Sequence, residues 1–167
     1  MSESNHPEIL TGGCLCESIR YQIKFSNQDV YPPDPHTCQC TTCRKQSGAL
    51  IVHFITVSPL QLTWITPPPL EFPSSPGYFR AFCPNCGSAL AYRAVGSPNE
   101  VEILSGSLDQ GVLASPSAVK LTKPIGGQFW CKRFIEGVTD GISEGTRWLE
   151  GSAQGFKLPW TGVKTDE

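Results

Sequence analysis

The sequence has little charge, no excess of either sign and no long apolar run. Charged residues make up 17% of its 167 residues, below the roughly 25% usual for soluble domains, and the formal net charge is -2. The low charge, beside 39% hydrophobic residues, excludes a chain kept unfolded by self-repulsion. The missing basic excess excludes a nucleic-acid or anionic-membrane partner recruited by bulk charge. The longest mainly apolar stretch, Ala49 to Val57, is broken by His53 and Thr56 and falls far short of the roughly 20 residues of a membrane helix. The opening MSESNHPEIL has neither a basic region nor an apolar segment of secretory type. The expectation is therefore a cytoplasmic protein, in which disulfides are rare.

What the chain has in quantity is turn residues and cysteine: 16 Gly, 15 Pro and 8 Cys. That much punctuation excludes a helix bundle and favours short strands joined by turns. Residues 1–11 read as a flexible arm. Glu17 to Phe25 alternates, with Ile19, Tyr21, Ile23 and Phe25 on one face of a half-buried strand. Asn27 to Thr37 reads as a loop. Thr41 to Gly48 reads as one short helix, capped by Thr41 or Thr42 and ended by Gly48. Further strands are expected over Ala49–Val57, Leu60–Ile65, Tyr78–Phe82, Ala89–Ala94 and Glu100–Leu104, with Gln128–Ile135 as a last core strand. Pro67 to Pro76 reads as a proline-rich loop that, with Phe72, Tyr78 and Phe79, shapes an apolar pocket. Residues 139–167 form a tail in which Trp148, Phe156 and Trp160 are candidates to pin parts of it to the body. The whole is a mainly β chain with a single domain.

Seven of the eight cysteines fall into three groups: Cys14 and Cys16; Cys38, Cys40 and Cys43; Cys83 and Cys86. The stretch CPNCG at 83–87 is a zinc knuckle, a turn that aims two sulfurs at one metal and that Gly87 closes in a left-handed conformation. Cys14 and Cys16 project to the same side of an extended segment and can complete a closed four-cysteine site with Cys83 and Cys86. The competing arrangement is another pairing, or thiols without metal. A structural zinc of this kind contributes folding free energy directly, about 10 kcal/mol or more in small metal-dependent domains.

The middle group, CQCTTC, brings three sulfurs together with no fourth cysteine to spare. Three protein ligands and an open position describe a catalytic zinc. Cys43 lies at a helix start, which lowers a thiol pKa. Arg44 and Lys45 follow it and, with Gln46, are candidates to bind an anionic substrate. The competing reading is a second structural zinc completed by His36. His53 reads as a satisfied core or edge histidine, and Cys131 as a small buried residue.

On the residues GGCLCESIRY at 12–21, CQCTTCRKQSGA at 38–49, FCPNCGSAL at 82–90 and GSLD at 106–109, the sequence resembles the glutathione-dependent formaldehyde-activating enzyme family, which includes the centromere-protein-V-like proteins. The resemblance spans roughly residues 11–138 and implies a zinc-binding domain over 12–138. It implies a compact β-tent of packed antiparallel sheets with zinc knuckles. It implies a tightly held structural zinc on Cys14, Cys16, Cys83 and Cys86, and an exchangeable zinc on Cys38, Cys40 and Cys43 beside the glutathione site. The implied activity is a carbon–sulfur lyase reaction joining formaldehyde and glutathione. Two positions depart from the family pattern: Gln39 and Gln128 stand where relatives often carry a histidine.

The expected function is thus a zinc-dependent enzyme acting on glutathione adducts of formaldehyde or another small electrophile. Its partners are a small thiol and an electrophile, with a homodimer as an open arrangement and no nucleic acid or membrane. The alternative is a zinc-stabilised module that binds a protein partner without catalysis. A reductase resembling the methionine-R-sulfoxide reductases would need Cys131 as an exposed reactive thiol.

Overall fold

The computed structural model describes residues 7–151. Two sheets carry the fold. The smaller is antiparallel, in the order β1 (Ile9–Gly13), β2 (Arg20–Lys24), β5 (Leu62–Trp64). The larger has seven strands: β3 (Pro35–Cys38), β4 (Val52–Val57), β6 (Leu70–Ser75), β7 (Tyr78–Phe82), β8 (Ala89–Ala94), β9 (Val101–Leu104) and β10 (Gly127–Phe129). Their spatial order is β10-β3-β4-β9-β8-β7-β6. Every pairing is antiparallel except that of β10 with β3, a departure from the all-antiparallel sheets expected. The helices are short: α1 (Thr41–Ser47), α2 (Gln110–Leu113) and α3 (Ala118–Thr122). No helix of the described residues is long and apolar enough to cross a membrane.

The main core lies between the sheets and follows from strand alternation. Tyr21, Ile23 and Phe25 of the β2 segment are buried, as is Leu10 of β1. They pack with Ile55 and Val57 of β4, Ala81 of β7, Ala91 of β8 and Ile103 of β9. These residues occupy one face of the large sheet, because side chains two apart on a strand share a face. The opposite face carries the site described below.

A polar clamp fixes the two sheets together. Gly12 lies opposite Tyr21, and the Tyr21 hydroxyl is 2.7 Å from Ser107 Oγ. Ser107 gives its own proton to the Leu104 carbonyl, so Tyr21 is the donor. Arg20 donates to both carboxylate oxygens of Asp109, at 2.9 and 2.5 Å, and Thr11 Oγ1 donates to Asp109 Oδ2 at 2.6 Å. A Cβ on Gly12 would stand 2.3 Å from the Tyr21 oxygen and 2.5 Å from the Ser107 carbonyl. The GG and GSLD motifs thus meet in space, and glycine is required where the backbones approach.

Several elements differ from the sequence reading. Residues 9–11, read as the end of an arm, begin β1. Residues 70–75, read as a proline-rich loop, form β6. As the edge strand of the large sheet it tolerates Pro73, and its register shifts between Pro73 and Ser75. The last core strand stops at Phe129: Trp130 takes a left-handed backbone (φ 61°), and a 3-10 turn, Cys131–Arg133, follows. Three short helices replace the single one expected. Phe156 and Trp160 lie outside the described residues; Trp148 donates its backbone N–H to the Gln128 carbonyl at 2.8 Å.

Candidate metal centres and the cavity they open on

Cys14 and Cys16 follow β1, and Cys83 and Cys86 follow β7. Their four sulfurs all lie within 4.8 Å of one another. The Cys14–Cys16 and Cys16–Cys83 sulfur separations are 3.6 and 3.7 Å. A tetrahedron with zinc–sulfur bonds of about 2.3 Å has an edge of about 3.8 Å, whereas a disulfide needs about 2.05 Å. The four thiols therefore fit a zinc ion and do not form a disulfide. Gly87 (φ 77°) closes the knuckle, its N–H donating to the Cys83 carbonyl at 2.9 Å. The Ile19 N–H donates to Cys14 Sγ at 3.3 Å. Two serines that sequence reasoning missed complete the surroundings. Ser18 Oγ is 3.1 Å from Cys16 Sγ and 3.3 Å from Cys83 Sγ, and Ser88 Oγ is 3.2 Å from Cys86 Sγ. The Ser88 hydroxyl, with backbone N–H groups, draws the Cys86 thiol down to about 5.

Cys38, Cys40 and Cys43 converge at the C-terminal end of β3, with their sulfurs also within 4.8 Å of one another. Cys38 ends the strand. Cys40, rather than Thr41 or Thr42, caps α1, its sulfur accepting the Cys43 N–H at 3.2 Å. Gly48 closes the helix in a left-handed conformation, as expected. The thiols of Cys38 and Cys43 donate toward Cys40 and pull its pKa down, with the charge of Arg80 acting in the same direction. Cys38 moves the opposite way, because a thiol beside a thiolate keeps its proton.

Among the described residues no fourth His, Cys, Asp or Glu joins this group. His36, the candidate to complete it, is engaged elsewhere. Its ring stacks on Phe54 with centroids 5.3 Å apart, and its Nδ1 donates to the Asp34 carbonyl at 3.2 Å. Its Nε2 lies 3.5 Å from Glu102 Oε2. Glu102 raises the His36 pKa against the opposing effect of burial, which is the larger single influence.

The three cysteines open on a cavity of about 620 Å³. Its wall is the second face of the large sheet, and the register explains its composition. His36 lies opposite Phe54, and Phe54 opposite Leu104; Glu102 lies opposite Tyr92, and Tyr92 opposite Arg80. The Arg80 guanidinium sits over the Tyr92 ring at 4.9 Å, and Tyr78 stacks on the same ring at 6.1 Å. Burial pushes the Tyr92 hydroxyl upward, so it remains a neutral donor. Trp130, Glu150 and Gly151 close the cavity from the C-terminal side. A separate groove involves Pro68, Pro69, Leu70 and Phe79, so the proline-rich stretch does shape an apolar surface, with Tyr78 facing the cysteine cavity instead.

The profile of the family described as glutathione-dependent formaldehyde-activating enzyme matches residues 9–133. The chain belongs to this family. A comparison with curated proteins finds no relative. Among solved structures, the chain is similar to the crystal structure of a Rhodobacter sphaeroides protein from a structural genomics programme. That likeness has 17% identity and a TM-score of 0.50, covers 67% of this chain and 96% of the other, and extends to the fold alone.

Within this formaldehyde-activating family frame, the two glutamine departures have a structural role. Gln39 accepts a hydrogen bond from Thr139 Oγ1 at 2.7 Å. Gln128 donates to the carbonyls of Ile142 and Glu144 at 3.0 and 2.8 Å. Both are buried, face away from the cysteine cavity, and fasten the segment 139–148 to the sheet. Cys131 lies beside them, 3% exposed, with its thiol donating to the Gln128 carbonyl at 3.3 Å. Burial raises its pKa, which removes the exposed reactive thiol that a reductase would need. His53 donates from Nδ1 to the Thr122 carbonyl at 3.1 Å. Arg44, Lys45 and Gln46 lie on α1 beyond Thr42 and Cys43, and the cavity wall includes Thr42 and Cys43 without them. The cation on the wall is Arg80, which alternation within β7 had concealed.

Proposed function

We propose that the chain is a zinc-dependent enzyme that makes and breaks the carbon–sulfur bond of glutathione adducts of formaldehyde or another small electrophile. The observation that carries this reading is the three-cysteine group opening on a cavity, beside a four-cysteine group closed on itself. A structural zinc would be held by Cys14, Cys16, Cys83 and Cys86, and a catalytic one by Cys38, Cys40 and Cys43. Zinc held by three protein thiolates lowers the pKa of an incoming thiol and polarises a carbonyl oxygen.

The chain's own residues do the rest. The thiol sulfur bonds to the carbonyl carbon as the carbonyl π pair moves to oxygen, and the thiol proton ends on that oxygen. Glu102, aligned by His36 at 3.5 Å, is the wall carboxylate placed to take that proton and return it. The Tyr92 hydroxyl stands in the same row as a neutral donor. Phe54, Phe129 and Trp130 supply the apolar part of the wall. The reverse sequence releases the aldehyde. Arg44, Lys45 and Gln46 would meet only a ligand long enough to extend past the wall over α1. The cavity favours this reading over a non-catalytic module, whose middle cysteines would be saturated and covered.

The test is exchange of ¹³C-formaldehyde with glutathione, followed by NMR on zinc-loaded protein. Exchange faster than the spontaneous rate that disappears in Cys40→Ser supports the reading. Equal rates with and without wild-type protein, across a panel of small aldehydes, overturn it.

A further inference from the structure

The cavity wall contains one cation whose hydrogen-bond donors go unused in the folded chain. Arg80 is 6% exposed, yet its Nε is buried without a hydrogen-bond partner. Among the described residues its guanidinium makes no ion pair and no hydrogen bond; it rests on the Tyr92 ring, and its field reaches Cys40, Cys43 and the Tyr92 hydroxyl. Four other arginines have polar partners: Arg20 has Asp109, Arg93 has Glu71, Arg133 has Thr41, and Arg147 has the carbonyls of Asp140 and Ile142, while Arg44 lies half-exposed on α1. A guanidinium carries five donors in a planar fork and is costly to bury unpaired.

The carboxylates that share the cavity are directed elsewhere. Glu102 faces His36, and Glu150 pairs with Lys132. The fork is also held ready: Tyr92 lies under it, and Tyr78 stacks on Tyr92 with an interplanar angle of 13°. A rigid, unpaired guanidinium on a cavity wall matches a planar carboxylate, which it can bind through two parallel hydrogen bonds.

We propose that Arg80 is the carboxylate-binding residue of this cavity, so that the site selects thiol adducts carrying a carboxylate within reach of the sulfur-binding cysteines. The inference rests on the reading of the cavity as a thiol site and adds its charge specificity. The carboxylate comes either from the thiol peptide or from the electrophile, and the chemistry at Arg80 is the same. The competing role for Arg80 is charge balance for the cysteine sulfurs alone, which would be indifferent to a carboxylate on the ligand.

The experiment is calorimetric binding of zinc-loaded full-length protein to mercaptoacetate and to its neutral amide, mercaptoacetamide. Wild type should bind the acid at least about tenfold tighter than the amide, the scale of one charge-assisted pair. Arg80→Gln should abolish that preference and leave amide affinity within about twofold, with Arg80→Lys intermediate. Amide binding reports that the variant is folded. The wild-type acid-to-amide ratio needs no variant, and a ratio of one overturns the proposal outright. Equal loss of acid and amide binding in Arg80→Gln overturns it in favour of charge balance. Glutathione and its diethyl ester, blocked at both the glycyl and the γ-glutamyl carboxylate, then separate the two sources. An Arg80-dependent loss on blocking assigns the carboxylate to the peptide, and equal binding of the two with the mercaptoacetate preference intact assigns it to the electrophile. Arg80-dependent binding without aldehyde exchange would retain this assignment and overturn the catalytic one. Exchange with identical KM values for acid and amide thiols would do the reverse.

Discussion

Arg20 and Asp109, 89 residues apart, are joined by two parallel hydrogen bonds of 2.9 and 2.5 Å, and this pair fastens the small sheet to the segment between β9 and α2. The Arg20 guanidinium holds the Asp109 carboxyl below its ordinary value, against a smaller opposing effect of burial. A depressed carboxyl contributes stability that is complete above the ordinary aspartate pKa of about 3.9 and is lost as pH falls through its lower folded value. Asp109→Asn should destabilise the protein by about 1–2 kcal/mol at pH 7, partial exposure moderating the loss. The difference between wild type and variant in urea unfolding should shrink as pH falls below about 4. A difference independent of pH would contradict this role for the ion pair.

Gly12 is the steric counterpart of the same clamp. Its added Cβ would meet the Tyr21 hydroxyl and the Ser107 backbone at 2.3 and 2.5 Å, and a backbone carbonyl cannot step aside cheaply. Gly12→Ala should cost about 1–3 kcal/mol, the range for overpacking. Thermal unfolding of the variant checks it. An unchanged midpoint would show that the sheets separate more easily than this contact implies.

Gln128 should act on the C-terminal segment alone. Gln128→Ala removes two donors from the Ile142 and Glu144 carbonyls, a local loss of about 1–3 kcal/mol. Hydrogen exchange should accelerate over residues 142–148 while β4 and β9 keep their protection. Uniform acceleration would mean that the segment is part of the global folding unit.

The two cysteine groups should respond oppositely to substitution. Cys83 is fully buried in the clamp between the β1 and β7 turns, so Cys83→Ser should lose the structural metal and the fold with it, consistent with the roughly 10 kcal/mol scale of such sites. Cys40→Ser should bind one zinc fewer and keep a cooperative unfolding transition. Under limiting chelator, wild type should release one zinc before it unfolds and the second as it unfolds. Simultaneous release with loss of structure would contradict the division into open and closed sites.

Much of this arrangement was legible in the sequence, for identifiable physical reasons. Tyr78–Phe82 and Ala89–Ala94 coincide with β7 and β8 because short apolar and aromatic runs bounded by glycine and proline are a local signal. The cysteine groups were legible because ligand spacing within a turn is local too. What was hidden depends on partners distant in sequence. β6 is exposed along most of its length and earns no apolar pattern, so its prolines dominated the reading. β10 is set by parallel pairing with β3 and ended by Trp130, neither of which alternation reports. Arg80 reads as one outlier in a core strand until the register places it across from Tyr92 and one strand further from Glu102. Gln39 and Gln128, at positions where relatives often carry a histidine, anchor a segment whose docking no local motif announces.

On the proposed function, Cys38, Cys40 and Cys43 hold a metal that still accepts a thiol from the cavity. Cobalt(II) substituted for zinc makes this visible, since each added thiolate ligand strengthens the sulfur-to-metal charge-transfer absorption. Glutathione added to the cobalt-loaded wild-type protein should raise that absorption saturably by the increment of one sulfur, and Cys40→Ser should abolish the increment while the four-cysteine signal persists. No change in wild type, or the same increment in Cys40→Ser, would contradict the account.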